Sequence, residues 1–194
     1  MDIFAHTLWA NAMAREANDL ALKKNQSTQV DKKFQMHVGW TAFFGVFPDF
    51  FAFTIPFLLR FYFIIVGGNS LSTFFERPRI EGEGFQNGFD LAHNLYQYSH
   101  SLVIWGFVFI VVWAIYKRPR YELLGWALHI LIDIPSHVLA FFPTPFLFPI
   151  SDYKFPYGIQ WSNQWFAIIN YSLLLLVFGR FLWRDFWVGK SNKI

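Results

Sequence analysis

The sequence predicts an all-α protein: an integral membrane helical bundle of about four transmembrane helices, preceded by an N-terminal amphipathic helix. Two observations support this prediction. The chain of 194 residues is 55% hydrophobic and 22% aromatic but only 15% charged, which is more apolar than soluble domains are. Several long segments are almost free of charge, and about 20 apolar helical residues suffice to cross a bilayer. We therefore treat residues 1–194 as one membrane-embedded domain.

The first predicted element is an amphipathic helix over residues 1–24. His6, Ala10 and Met13 share one helical face, whereas Arg15 and Asp19 lie on another. Such a helix lies on the membrane part or docks against it. The start of the chain lacks a basic stretch followed by an apolar one, so we expect no cleavable signal peptide.

Four apolar segments follow, and each is predicted to span the membrane: residues 34–66, 98–116, 121–142 and 165–183. The pair Pro48-Asp49 predicts a break in the first span, because proline and an acidic residue favour the first turn of a new helix. Pro135 predicts a bend in the third span, because it cannot donate to the carbonyl of Leu131. A polar loop over residues 67–87 and an aromatic loop over residues 143–164 connect spans.

Basic residues are concentrated in three regions: before the first span, between the second and third spans, and after the fourth. Under the positive-inside rule this distribution places both termini in the cytoplasm. The residues are Arg15, Lys23, Lys24, Lys32 and Lys33, then Lys117, Arg118 and Arg120, then Arg184, Lys190 and Lys193.

The overall charge and the absence of cysteine limit the partners. The net charge of +3 is spread over several loops, so nucleic acid is not an expected partner. Membrane lipids are expected partners, and a homo-oligomer is compatible with the sequence. With no cysteine in the chain, any metal must be held by His, Asp or Glu.

The most informative segment places His129, Asp133 and His137 four residues apart within an apolar run. Residues at this spacing share one face of a helix, so two imidazoles and a carboxylate can converge on a metal ion. The alternative is a buried hydrogen bond between histidine and aspartate that binds nothing.

Three further ionisable residues, His6, Asp49 and His100, are candidates for the same site. Titratable groups at membrane depth are costly and usually face a bundle interior, where they pair, bind ions or relay protons. Asp49 alone is also explained as a helix cap, and His100 as an interfacial histidine. His37, beside a basic connector, and His93, in a polar loop, are interpreted as structural.

Four short motifs in order carry a family resemblance: Ala5-His6-Thr7, Phe47-Pro48-Asp49, Ser99-His100-Ser101, and His129 followed by Asp133. From His6 to about Tyr157 the chain resembles the YdjM-like family of inner-membrane metal-dependent hydrolases. The ligand pattern of that family is similar to those of zinc-dependent phospholipase C and P1-type nucleases, which are all-helical. The chain departs from the family before His100, where Leu95-Tyr96-Gln97 replaces a frequent His-Arg-Gly lead.

The resemblance implies a bacterial inner-membrane protein that holds zinc or another divalent metal. The ligand positions that it implies are His6, Asp49, His100, His129 and Asp133, and the helical spacing adds His137. The function expected on this basis is hydrolysis of a phospholipid or other phosphoester by metal-activated water, with Asp49 and Asp133 as catalytic carboxylates. The alternative is a non-enzymatic membrane protein whose His and Asp network serves ion or proton passage or helix packing.

Straight spans do not bring these ligands together. They place Asp49 and His129 deep in the bilayer, His100 near its outer surface and His6 in the cytoplasm. From the sequence, either the first and third spans are broken or re-entrant, or only a subset of the residues forms the site.

Overall fold

The computed structural model describes residues 1–28, 34–66 and 83–191, and it is helical without regular strands in these ranges. The elements are α1 (Ile3–Thr28), α2 (Val38–Ile65), α3 (Glu83–Ser99), α4 (Leu102–Tyr116), α5 (Leu124–Ser136) and α6 (Gln164–Ser191), with a single 3-10 turn at Tyr121–Leu123. The all-α prediction is confirmed. Most of the predicted polar loop over residues 67–87 lies outside the described residues.

Two of the described helices are long and apolar enough to cross a membrane, which indicates a membrane protein. They are α2, over Val38–Ile55, and α6, over Gln164–Phe186. A third span results if Asp90–Ser99 of α3 and Leu102–Tyr116 of α4 count together, although they meet at 58°. The predicted count of four spans is not confirmed, because α5 has only 13 residues and a span needs about 20.

Two prolines act differently from one another. The chain leaves the helical conformation directly after Pro135, since α5 ends at Ser136, and this shortens the predicted third span. The predicted break at Pro48 is wrong, because α2 runs without interruption from Val38 to Ile65. Pro48 is fully buried, and a proline removes only one intrahelical hydrogen bond, which the packing of α2 tolerates. Asp49 is consequently a mid-helix residue rather than a helix cap.

Helix α1 runs parallel to α6. The indole Nε1 of Trp9 donates to Asn170 Oδ1 at 2.8 Å, and Asp19 further along α1 forms an ion pair with Arg184 further along α6. The predicted N-terminal helix is therefore present, and it extends to Thr28. Its predicted amphipathic character is not confirmed.

Helices α1, α2 and α5 approach one another closely at two glycines. A Cβ atom placed on Gly45 of α2 would lie 2.4 Å from the Cβ of Ala10 in α1. One placed on Gly125 of α5 would lie 2.2 Å from the backbone oxygen of Thr41 in α2. Both distances are far below van der Waals contact, so glycine at these positions lets the three helices pack together.

The aromatic segment that precedes α6 closes the end of α5. The amide of Ile159 donates to the carbonyl of Pro135 at 2.8 Å, and the amide of Trp161 donates to the carbonyl of Ser136 at 3.0 Å. These bonds satisfy carbonyls that the end of a helix leaves without partners. A Cβ on Gly158 would lie 1.8 Å from the backbone oxygen of His137, so the segment lies directly against the backbone there.

We predict that Gly125→Ala destabilises the protein by about 1–3 kcal/mol, because the added methyl group has no room between α5 and α2. Gly106→Ala is the matched control, since a Cβ at that position of α4 meets no atom within 4 Å, and alanine favours a helix over glycine. Thermal unfolding in detergent, followed by tryptophan fluorescence, measures both. Equal melting temperatures for the two variants would contradict the close packing at Gly125.

Candidate metal centre

Four side chains from separate parts of the bundle converge on one point: Asp49, His100, His129 and Asp133. Asp49 comes from α2, His100 from the break between α3 and α4, and His129 and Asp133 from α5. One ligand atom from each lies within 4.8 Å of all the others. The two histidines and Asp133 are at most 1% exposed, whereas the side chain of Asp49 is 13% exposed.

The spacing of these atoms suits a metal ion. His100 Nε2 and His129 Nε2 are 3.0 Å apart. Asp133 Oδ2 lies 3.2 Å from His129 Nε2 and 3.5 Å from His100 Nε2, and Asp49 Oδ1 lies 3.7 and 3.5 Å from the same two nitrogens. Two ligands bound about 2.0–2.1 Å from a tetrahedral zinc ion are roughly 3.3 Å apart. The observed distances are close to that value.

The outer nitrogen of His129 fixes the orientation of its ring. Nδ1 lies 2.7 Å from the carbonyl oxygen of Gly45, and because a carbonyl can only accept, Nδ1 carries the proton and donates. In the neutral ring Nε2 therefore has a lone pair directed at the cluster. Metal-binding histidines are usually held by such a bond to a backbone carbonyl.

His100 is held in a comparable way. Its Nδ1 lies 2.9 Å from Ser99 Oγ, and the carbonyl of Ser99 accepts from Trp126 Nε1 at 2.6 Å. The ring of Tyr96 stacks on the His100 imidazole, with centroids 3.7 Å apart. Ser99 and Tyr96 therefore hold the His100 ring in position before any ligand binds.

These contacts leave the centre of the cluster in need of positive charge. His129 Nε2 presents its lone pair to the cluster, and His100 Nε2 lies 3.0 Å from it, so both imidazole nitrogens are close enough to bind one metal ion. Two carboxylates face the same point, and buried anions require a compensating cation. A divalent metal would satisfy all four groups at once, so the chemistry of these donors fits a metal ion.

The second oxygen of Asp133 faces a different set of groups. Oδ1 lies 2.9 Å from His6 Nε2 and 3.5 Å from His137 Nε2, and it also contacts the α-amino group of Met1. That amino group lies 3.2 Å from His137 Nε2. The carboxylate of Asp133 thus stands between two groups of potential ligands, one at each oxygen.

His6 belongs to this second group. Its ring stacks on that of His129, with centroids 3.7 Å apart. Burial, together with the neighbouring His129, lowers the pKa of His6 to about 3, so its imidazole is neutral at neutral pH, as a metal ligand must be. Within the described residues, Nδ1 of His6 and Nδ1 of His137 are buried without a hydrogen-bond partner.

The structure brings together residues that straight spans would keep apart. Straight spans would keep His6 away from His100, but α1 packs against α2 and brings His6 Nε2 to 2.9 Å from Asp133 Oδ1. His100 reaches the same point because the chain bends between α3 and α4. His129 and Asp133 share a face of α5 as predicted.

His137 differs from the prediction in its backbone. It follows the last residue of α5, with φ −115° and ψ 146°, so it does not continue the helical face of His129 and Asp133. Its ring nevertheless reaches Asp133. His37 and His93 are both exposed and lie outside the cluster. His37 Nδ1 instead accepts from the amide of Trp40 in the first turn of α2 at 3.2 Å.

Sequence reasoning missed the groups that orient the ligands. The carbonyl of Gly45 carries no signal in the side-chain pattern, although Gly45 precedes Asp49 by one helical turn. Ser99 stood inside a motif already singled out for His100. Tyr96 occupies a position at which the chain departs from the family pattern, and only the folded structure shows its ring on His100.

We expect His100→Ala to lower zinc affinity by roughly a hundredfold or more, because it removes one of four converging ligands. His93→Ala is the matched control, since this exposed histidine lies in α3, the helix that precedes His100, and outside the cluster. Competition with a zinc-binding fluorescent dye in detergent measures both affinities. Equal losses in the two variants would exclude His100 as a ligand.

We expect Ser99→Ala to weaken zinc binding by about 10- to 100-fold while leaving the number of bound ions unchanged, because His100 loses the contact that orients its ring. Ser172→Ala, at an exposed position of α6, is the control. The same dye competition gives the affinity, and elemental mass spectrometry gives the number of ions. Wild-type affinity in Ser99→Ala would show that its hydroxyl has no such role.

Comparison with protein-family models, with curated proteins and with solved structures finds no match to this chain. The inference about function therefore depends on the geometry of the cluster and on the motifs of the sequence.

Proposed function

We propose that this protein is a membrane-bound, metal-dependent hydrolase that cleaves a phosphoester or related ester of a lipid. The observation that carries the proposal is the position of Asp133. Its buried carboxylate presents Oδ2 to His100 and His129 and Oδ1 to His6 and His137. A carboxylate shared between two sets of nitrogen ligands is typical of centres that place two metal ions a few ångströms apart.

The first metal position is formed by Asp49, His100, His129 and Asp133, which supply four oxygen and nitrogen ligands. A second ion held by Asp133, His6 and His137 would have to displace the α-amino group of Met1, which contacts Asp133 Oδ1 and His137 Nε2. Zinc is the metal that this donor set suits best, because imidazole and carboxylate ligands without thiolate are common in catalytic zinc sites. The order of motifs that resembles the YdjM-like family supports the same assignment.

A divalent metal bound at this site would supply a nucleophile from water at neutral pH and would polarise the ester oxygen. The side chain of Asp49 has the role of accepting the proton of the attacking water, because it is the one carboxylate of the cluster with partial exposure. The water oxygen bonds to phosphorus as the bond to the leaving oxygen breaks, and the proton passes to the leaving alkoxide. Asp133 stays ionised and holds both sets of ligands.

The location that we propose is the bacterial inner membrane, with both termini in the cytoplasm. Two helices long and apolar enough to span a membrane support a membrane location. The distribution of lysine and arginine supports the orientation, and the family resemblance supports the bacterial inner membrane.

The rival function is a non-enzymatic network of His and Asp that passes protons or ions or stabilises helix packing. It requires no bound metal and no turnover. The convergence of two imidazole nitrogens and two carboxylates, with one ligand atom of each within 4.8 Å of all the others, favours the metal centre over this alternative.

The direct test measures zinc content and ester hydrolysis with the same detergent-purified protein. We expect about one or two zinc ions per chain after dialysis against a weak chelator, and hydrolysis of bis-p-nitrophenyl phosphate that zinc restores after removal. Asp49→Asn should lower turnover by roughly a hundredfold or more, because it removes both a ligand of the first metal position and the proton acceptor. Asp152→Asn, an exposed carboxylate outside the cluster, should retain wild-type turnover.

Asp133→Asn separates loss of ligands from loss of fold. We expect zinc to raise the melting temperature of the wild type but not that of this variant, since both metal positions share Asp133. A protein that binds no zinc would exclude the hydrolase and leave the polar network. Zinc binding without turnover of phosphate monoesters, phosphodiesters or carboxylic esters would limit the function to metal binding.

A further inference from the structure

We propose that the apolar groove beside the cluster binds the hydrocarbon chain of the substrate, so that the enzyme acts on lipid esters drawn from the bilayer. The inference rests on the proposed function and adds the place where the hydrocarbon chain of the lipid binds. The groove has a volume of about 440 Å³, which lies within the usual range for small-molecule sites.

The floor of the groove belongs to the metal centre. Asp49 and His137 both line it, and Asp49 is the carboxylate to which we assign the attacking water. A molecule in the groove therefore has one end at the cluster. Because Asp49 lines the groove, it is the one side chain of the four that is partly exposed.

The walls of the groove are almost entirely hydrocarbon and aromatic. Phe50, Phe53 and Phe57 follow one another along α2 at helical spacing and form one wall, and Thr54 lies between them. Phe141, Phe142 and Trp161 also line the groove, together with residues 1–4. Among the described residues no lysine or arginine lines the groove. Apart from Met1 and Asp2 at the start of the chain, its ionisable residues are those of the cluster, Asp49 and His137, and the rest of the lining suits an alkyl chain better than a sugar or a nucleotide.

Phe142, which lines the groove, also belongs to the group of residues that orients His100. Phe142 has a positive φ of 42°, an unfavourable conformation for a residue other than glycine. Its carbonyl accepts from the hydroxyl of Tyr96 at 3.0 Å, and the ring of Tyr96 stacks on His100. Its own ring lies 5.2 Å from that of Phe53 across the groove. Phe142 therefore contributes both to the wall of the groove and, through Tyr96, to the position of His100.

The groove lies along the part of α2 that is apolar enough to span a membrane. Phe50, Phe53 and Thr54 all lie within Val38–Ile55, the part of α2 that is apolar enough to span a bilayer. Asp49 is eleven residues after Val38 in α2, which is roughly 16 Å along a helix, or about half the thickness of the hydrocarbon core. A chain in this groove is therefore continuous with the acyl chains of the surrounding lipid.

The test uses p-nitrophenyl alkyl phosphates whose alkyl group grows from ethyl to octyl, all of them soluble. With the zinc-loaded wild type, kcat/KM should rise by about fourfold per methylene until the groove is full. In Thr54→Phe, which narrows the groove, the ratio of octyl to ethyl turnover should fall by roughly tenfold or more. Ile55→Phe makes a similar change at the next residue, which does not line the groove, and should keep the wild-type ratio.

The outcomes distinguish the two proposals. The groove proposal would be wrong if the enzyme is active but its kcat/KM does not depend on the length of the alkyl group. It would also be wrong if the ratio of octyl to ethyl turnover is the same in Thr54→Phe as in Ile55→Phe. Neither result would contradict the proposed hydrolase. If no ester is hydrolysed, the proposed hydrolase function is wrong, and binding of dansyl-undecanoic acid tests whether the groove binds a lipid chain. Binding that is roughly tenfold weaker in Thr54→Phe than in Ile55→Phe would support a lipid-chain site, whereas equal binding would overturn it.

Discussion

The buried carboxylate of Asp133 is the constraint on which the rest of this structure depends. Removing an ionised carboxylate from water costs several kcal/mol even after relaxation, and Asp133 is 1% exposed. Three parts of the bundle contribute groups that face this carboxylate. Helix α1 brings His6 and the amino group of Met1, the break between α3 and α4 brings His100, and α5 itself supplies His129. Much of the helix packing can be understood as the arrangement that lets these groups reach one point.

The same constraint explains two irregular features of the bundle. A continuous helix through residues 99–101 would carry His100 past the cluster, whereas the 58° bend between α3 and α4 leaves it at the centre. Pro135 ends α5 early, so His137 folds back to within 3.5 Å of Asp133. Both interruptions have polar backbone groups that must be satisfied inside the protein. Ser101 meets this need at the start of α4 by accepting from the amides of Val103 and Ile104.

The sequence was sufficient to predict the helical class and to single out the four side chains that converge, because an ionisable residue in an apolar segment is costly and usually faces the bundle interior. It was not sufficient to predict how they meet. Pro48 has the chemistry of a helix start, yet its burial in α2 overrides that preference. Residues 99–101 contain neither proline nor glycine, so the sequence gives no signal for the bend between α3 and α4. The parallel course of α1 along α6 depends on contacts between residues more than 160 positions apart, such as Trp9 and Asn170, which local pattern cannot indicate.

Gly158 lies in a segment that contributes no residue to the cluster, yet the position of His137 depends on it. Its missing side chain lets the aromatic segment lie against the backbone oxygen of His137, and the amides that follow satisfy the carbonyls of Pro135 and Ser136. Any larger residue must push this segment away and release His137 with it. In a saturation mutagenesis experiment that selects for function, position 158 should therefore tolerate as few replacements as the histidines, although it has no functional group of its own.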